Sequence, residues 1–249
     1  MEINMRIPTF RGIIERRILV NYRVDPQTLA AILPPPFEPK LAHGFAIAGI
    51  CLIHLKHIRP RFIPAQFGIA SENAAHRIAV QWMVNGCLHE GVYIPRRDTS
   101  SRLNTIVGGR IFPGVYHLAK FTVAEQDPQL EVSLESLDFS TSVAVKAHVI
   151  PSLPETSIFH SLQDASSLFE SGSLGYSATH EEGRYDGLKL HTHNWEVRPL
   201  AVDHVHSSFF ENTTLFPHGS VNFDCTLLMR NLSHEWRDQG QLLCPDSAV

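Results

Sequence analysis

The sequence predicts a mainly β, α+β protein: an antiparallel sheet, sandwich or barrel with a few helices on its outside. Two observations carry this. Many short β-prone runs lie between Arg17 and Met229 with turn signals between them, and only three short segments read as helix. At 249 residues the chain is long enough for one sizeable core or two small ones, and one domain over 1–249 is the expectation.

Arg17 to Tyr22 is the first β-prone run. Asp25-Pro26 then opens a helix over Gln27 to Leu33, with Asp25 as cap and Pro26 at the first helical position; Pro34, Pro35 and Pro36 stop it. Phe45 to Leu55 is apolar and partly β-branched, which predicts a largely buried strand. Arg77 to Val84 and Val92 to Pro95 predict two more. Asp98 to Val107 predicts a short helix capped by Asp98 and ended by Gly108-Gly109. Strands resume over Arg110 to Val123, Leu130 to Leu137 and Val143 to Ile150. Pro151 to Pro154 breaks the chain. Asp164 to Gly172 predicts a helix, and a Gly/Ser/Glu-rich surface stretch runs on to Gly187. Leu188 to Val197 alternates as a strand, and Val221 to Met229 is the last one.

Composition narrows the function classes. A formal net charge of −4 gives no whole-chain case for nucleic acid or an anionic membrane as partner. Met1 to Phe10 carries no apolar h-region, and Phe45 to Leu55 is too short to span a bilayer. Cys51, Cys87, Cys225 and Cys244 form no CxxC pair, which fits reduced thiols; with no secretory signal, the sequons at Asn212 and Asn231 read as chance. A cytoplasmic protein is expected. No cofactor is called for, and a homo-oligomer is left open. Arginine dominates the basic residues, the lysines being Lys40, Lys56, Lys120, Lys146 and Lys189. Arginine grips carboxylates well and forms no Schiff base.

Val20-Asn21-Tyr22-Arg23-Val24-Asp25-Pro26, a helix, and then Leu33-Pro34-Pro35-Pro36-Phe37-Glu38 resemble the opening of acetoacetate decarboxylase-like proteins. Gly109-Arg110 and the stretch Asp203 to Phe209 resemble two later segments of the same superfamily. Ser71-Glu72-Asn73 and Val92 to Arg97 are more similar to its uncharacterised YqjF-like branch. The resemblance implies a double-barrel or cone-shaped antiparallel sheet around an internal cavity. In the decarboxylases that cavity holds a Schiff-base lysine with a cationic neighbour. Matching Gly109-Arg110 places His117 and Leu118 at those two positions, so that mechanism is disfavoured. Lys120, the nearest substitute, points to the opposite strand face from His117. The strand Phe45 to Leu55 lacks the family's carboxylate, whereas Glu72 matches its other cavity glutamate.

The resemblance therefore singles out Glu72 and His117 as an acid/base pair, with Arg110, Arg77, Arg97 and Tyr22 as ligand contacts. A buried Arg110–Glu72 ion pair and a core His117 form the competing structural reading. Arg96 to Arg102 reads either as an anion site at a helix N-terminus or as a solvated helix start. The pairs His191/His193 and His204/His206 would each share a strand face and offer an alternative metal site, set against a His-rich surface. Ser207-Ser208 and Cys51 lie in no nucleophile elbow and beside no recognisable base, and read as structural. The expected function is binding of a small carboxylate or oxo acid in an internal cavity, with lyase, hydratase or enolisation chemistry if catalytic. The alternatives are a non-catalytic ligand-binding protein and a metal-dependent enzyme.

Overall fold

Along residues 10–24, FRGIIERRILVNYRV, buried and partly exposed positions alternate, and the second half is buried on both faces. Such a strand separates two cores, and the rest of the chain is arranged around it. The computed structural model describes residues 9–107 and 114–244. Its elements are β1 (Phe10–Val24), α1 (Pro26–Ile32), the two-residue strands β2 (Glu38–Pro39) and β3 (Leu41–Ala42), β4 (Phe45–Pro60), β5 (Ile69–Val84), β6 (Cys87–Thr99) and α2 (Arg102–Val107). They continue with β7 (Tyr116–Gln126), β8 (Gln129–Ser136), β9 (Ser142–Val149), α3 (Leu162–Ser171), β10 (Leu174–Ala178), β11 (Arg184–Thr192), β12 (Arg198–Ser207) and β13 (Val221–Leu243).

Strands β13, β1, β4, β5 and β6 form one shared wall. On one side the sheet continues through β7, β8, β9 and β12 back to β13. On the other it continues through β10 and β11 back to the far half of β13. The split occurs inside single strands. Val92 to Ile94 of β6 pair with β10, while Arg97 to Thr99 pair with β7. Thr226 to Leu228 of β13 pair with β12, and His234 to Leu243 with β11. The result is the expected double barrel. Its pairings are antiparallel except that β6 runs parallel to both β7 and β10.

Because side chains alternate with period two, each wall strand feeds both interiors. Ile18, Val20, Ile50, Leu52, Ala74 and Ile78 pack into the first barrel; Leu19, Cys51, Ala75 and Met229 pack into the second, under Phe159, Ala165 and Phe169 from the α3 region. Two irregularities reset this alternation. Glu15 is an extra residue between the β1–β4 pairs Ile14–Leu55 and Arg16–His54, so Ile14 and Arg17 face the same interior. Ile94 and Pro95 both stand opposite the single Arg77, and Pro95 has no N–H to donate there.

α1 forms as its residues dictate: the Asp25 carboxylate accepts from the Thr28 N–H at 2.8 Å and Pro26 occupies the first turn. Several expectations are corrected. Asp98 is not a helix cap but a fully buried residue of β6, and Ser101 Oγ accepts from the Asn104 N–H instead. The expected surface stretch before Gly187 contains β10 and the start of β11. The strand expected over Leu188 to Val197 ends at Thr192, where the pairing of β11 with β13 stops. β13 runs fourteen residues past Met229, carried by pairing to β11 that no local pattern announces. Gly108, Gly109 and Arg110 lie outside the described residues.

Candidate functional site

The second barrel encloses a cavity of about 110 Å³. Its walls are apolar, from Ile14, Ile53, Leu55, Ile58, Ile69, Val92, Ile94, Leu188, Leu190 and Trp236. Into it come Arg17, Arg77, Arg97, Cys51, Ser71, Asn73, Asn104 and Tyr116. The register accounts for the gathering. Cys51, Ala75, Arg97 and Tyr116 form one row across β4, β5, β6 and β7, flanked by Arg17 opposite Ile53 and Arg77 opposite Gly49.

The three arginines share an unusual environment. Arg17 lies over the Trp195 ring at 5.6 Å, Arg77 over Phe169 at 4.8 Å and Arg97 over Tyr116 at 5.6 Å. Stacking on an aromatic face holds a guanidinium without neutralising it and leaves in-plane N–H donors free. None of the three pairs with a carboxylate: among the described residues the arginine ion pairs fall on Arg16, Arg23, Arg61, Arg96, Arg184, Arg230 and Arg237. Arg77 is 8% exposed; one nitrogen donates to Asn21 Oδ1 at 2.5 Å, and its Nε has no partner. Burial, with Arg17 nearby, pushes its pKa down to about 10. Arg97 Nε donates to Ser177 Oγ at 3.0 Å, and Arg17 Nε donates to Cys51 Sγ at 3.1 Å. Asn104 is 6% exposed and its Oδ1 has no donor. The cavity thus concentrates positive charge and leaves orphaned polar atoms in an apolar enclosure.

Two of the expected ligand contacts, Arg77 and Arg97, line this cavity. Tyr22 does not: it is buried in the first barrel, stacked on Phe210 at 4.3 Å, and burial raises its pKa. Arg110 lies outside the described residues. Glu72 is one residue out of step with Ser71 and Asn73 and so faces the other side of the wall. There it accepts from Arg16 at 2.5 Å, and Arg16, 1% exposed, also pairs with Glu125. His54, Glu15 and Arg230 complete this groove. Burial raises the Glu72 pKa against the opposing pull of Arg16 and His54.

His117 belongs to neither place. Its Nδ1 meets Asp138 at 3.0 Å, and Asp138 also accepts from Arg96, Ser136 and Ser140. Arg96 clamps the buried Asp98 as well. The structure does not bring Glu72 and His117 together, and neither lines the cavity. Of the competing Arg110–Glu72 pair, Glu72 is seen paired with Arg16, and Arg110 lies outside the described residues.

The four histidines of the alternative metal site, His191, His193, His204 and His206, are not brought together. His191 lies on β11 opposite Glu235. Because β11 ends at Thr192, His193 falls in the exposed bend beyond it, and the shared strand face expected of His191 and His193 is not formed. The Glu235 carboxyl opposite His191 is held low chiefly by the hydrogen bond from Arg237. His204 and His206 lie on a different strand, β12, opposite Lys146 and Ala144 of β9. Among the described residues no group of three or more His, Cys, Asp or Glu is arranged to hold a metal ion. His206 is held by Glu211 at 2.9 Å through Nδ1 and by Ser142 Oγ at 3.0 Å through Nε2. That order resembles a hydrolase triad, but the Thr141 and Ser142 N–H groups beside it already donate to Ser136 Oγ and Ser208 Oγ and cannot serve an oxyanion. Lys120 is exposed on β7, opposite Glu135, and among the described residues no lysine lines the cavity.

Sequence reasoning missed Arg17, Asn73, Asn104 and Tyr116, and it set Cys51 aside as structural. Period two offered part of the signal, since 71, 73, 75 and 77 share a strand face and 72 does not. The bulge at Glu15, which decides where Arg17 points, left no comparable mark.

With the geometry in place, comparison gives the class first: the fold is acetoacetate decarboxylase-like. The chain aligns with acetoacetate decarboxylase from Legionella pneumophila at 14% identity and TM-score 0.58, covering 100% of this chain and 92% of that one. An acetoacetate decarboxylase-like enzyme from Sphingomonas wittichii aligns at 11% identity and TM-score 0.56, over 96% and 93%. The enduracididine biosynthesis enzyme MppR, in complex with pyruvate, aligns at 14% identity and TM-score 0.55, over 99% and 95%. No curated protein matches in sequence. The chain belongs to DUF2071, described as an uncharacterized conserved protein (COG2071), whose family model matches residues 14–224. Among the described residues no helix is long and apolar enough to cross a membrane.

Proposed function

We propose that the protein binds a small carboxylate of the 2-oxo acid class in the cavity of the second barrel, with Arg77 and Arg97 as the anion contacts and Arg17 beside them. The observation that carries this is three arginines around one apolar cavity with no acidic partner among the described residues. A buried cation without a counterion is costly, and an anionic ligand relieves that cost while accepting charge-assisted hydrogen bonds. The size limits the ligand: a dry cavity of roughly 150 Å³ takes the six carbons of benzene, so this one of about 110 Å³ suits a ligand of about four to six non-hydrogen atoms, with acetate and pyruvate at the two ends of that range. The fold relative MppR is in complex with pyruvate, which fits the same ligand class.

Schiff-base decarboxylation finds no support, because among the described residues no lysine lines the cavity. Acid/base chemistry by Glu72 and His117 finds none either, because both side chains lie elsewhere.

The test is a thermal-shift series with acetate, pyruvate and 2-oxobutyrate against the neutral analogues pyruvamide and acetone. A ligand of the native state raises Tm by mass action. Carboxylates should raise Tm and the neutral analogues should not. Arg77→Met and Arg97→Gln should each weaken the response about tenfold or more, from the loss of a charge-assisted contact of roughly 1.5–3 kcal/mol. Equal shifts in wild type and Arg77→Met would refute the assignment.

A further inference from the structure

Cys51 is the one thiol in the arginine-lined cavity among the described residues, and its surroundings differ from those of the chain's other buried cysteine. Cys225 lies outside the cavity, and burial together with the Asp224 carboxylate pushes its thiol up. Cys51 has cations instead. It sits on β4 with Leu19 opposite it on β1 and Ala75 opposite it on β5. Arg17 and Arg77 are the same-face residues one step diagonal on those two strands, so a guanidinium flanks the sulfur from either side. Arg17 Nε donates to the sulfur at 3.1 Å. Two further groups mark the space in front of it as a ligand site. Arg77, more than nine-tenths buried, has an unpartnered Nε, and Asn104, equally buried, has an unpartnered Oδ1. Both line the same cavity as Cys51.

We propose that Cys51 is a nucleophile toward the ligand of this cavity. With a 2-oxo acid held by its carboxylate on Arg77 and Arg97, the Cys51 sulfur bonds to the carbonyl carbon. The C=O π pair moves to oxygen and the thiol proton ends there. The product is a thiohemiketal: no group leaves, and no oxidant or reductant is consumed. The Arg17 Nε–H already donates to the sulfur, which fixes it at the edge of the cavity where the carbonyl carbon would lie. Asn104 Oδ1, an acceptor with no donor, suits the hydroxyl so formed. The proposal rests on the carboxylate-binding reading above and adds a covalent step to it.

Two measurements test it, and they separate the covalent step from binding. In the first, intact native protein is alkylated with iodoacetate or iodoacetamide, and each cysteine is followed by peptide mass spectrometry. Alkylation joins the sulfur to the CH2 carbon, expels iodide and releases the thiol proton to solvent. The iodoacetate-to-iodoacetamide rate ratio at Cys51 should exceed that at the exposed Cys87 at least tenfold. It should fall toward the Cys87 value in Arg77→Met, where Arg17 and Arg97 remain, and pyruvate should slow the Cys51 reaction. In the second, pyruvate labelled with carbon-13 at the carbonyl is added and its NMR signal recorded. The bound signal should move from the ketone to the tetrahedral range in wild type and remain a ketone in Cys51→Ala. Bound pyruvate that keeps its ketone signal in wild type, or a Cys51 ratio equal to that of Cys87, overturns the nucleophile while leaving carboxylate binding standing. No binding of pyruvate or any other carboxylate overturns both.

Discussion

The two faces of the shared wall handle buried arginine in opposite ways. On the first-barrel face Arg16 is enclosed between Glu72 and Glu125, with Arg230 and His54 extending the network. On the second-barrel face Arg17, the next residue in the chain, meets a thiol and an indole ring and no carboxylate. Arg77 and Arg97 also lie over aromatic rings, Phe169 and Tyr116, and among the described residues neither has a carboxylate partner. The compensated face is built for stability. On the proposed reading the other face receives an anion, so adjacent residues in one strand would carry different duties.

The largest effects should separate these faces directly. Removing one partner of a buried ion pair strands the other charges, so Arg16→Met is expected to lose about 3–5 kcal/mol in urea denaturation. Arg77→Met strands no carboxylate and removes an uncompensated buried cation. It takes a donor from the buried Asn21 Oδ1, a cost of about 1–3 kcal/mol, so it should lose less stability than Arg16→Met while losing carboxylate binding. Equal losses in the two variants would erase the distinction.

A smaller effect concerns the buried histidines. Burial pushes His76 down to about 3, with neither ring nitrogen partnered, and His234 to about 4, against a backbone contact with Leu232 that pulls the other way. A depressed folded-state pKa means that the unfolded chain takes up the proton first. The stability these rings contribute is therefore present above about 6.5 and is lost as pH falls toward the folded values. Between pH 6.5 and 5 each should approach a slope of about 1.4 kcal/mol per pH unit. His76→Leu, whose site packs against Phe209 at 4.9 Å, should roughly halve the combined slope in pH-dependent denaturation. An unchanged slope would mean that His76 is not held neutral.

The smallest expected effect is none at all. Borohydride added with pyruvate should leave no adduct on Lys120, which is exposed and outside the cavity. A mass increase at that residue, absent in Lys120→Ala, would restore Schiff-base chemistry and count against the arginine cavity as the working site.

Much of the fold was legible in the sequence. The Asp25-Pro26 cap, the apolar run at Phe45 and the strands around Leu130 and Val145 follow from local rules of capping and alternation. β10 and the far half of β13 were not legible, because they exist through pairing with distant strands. The same dependence on a partner strand ends β11 before His193 and dissolves the first histidine pair. The site was legible in part. Arg77 and Arg97 of the candidate cavity were named, but Glu72 was grouped with Arg77 although the two stand five positions apart on one strand, which puts them on opposite faces. Arg17 went unnoticed because a single extra residue, Glu15, sets its direction. Asp98 looked like a cap because its pairing with Arg96, two residues earlier on the same strand, is invisible as a helix-breaking signal.

The most direct test is a crystal structure of the protein grown with pyruvate. The expected result is a carboxylate within hydrogen-bond distance of Arg77 or Arg97 in the second-barrel cavity, with its carbonyl carbon toward Cys51. Pyruvate bound in the Glu72 groove, or a cavity left without pyruvate at a concentration that saturates the protein in solution, would contradict the account.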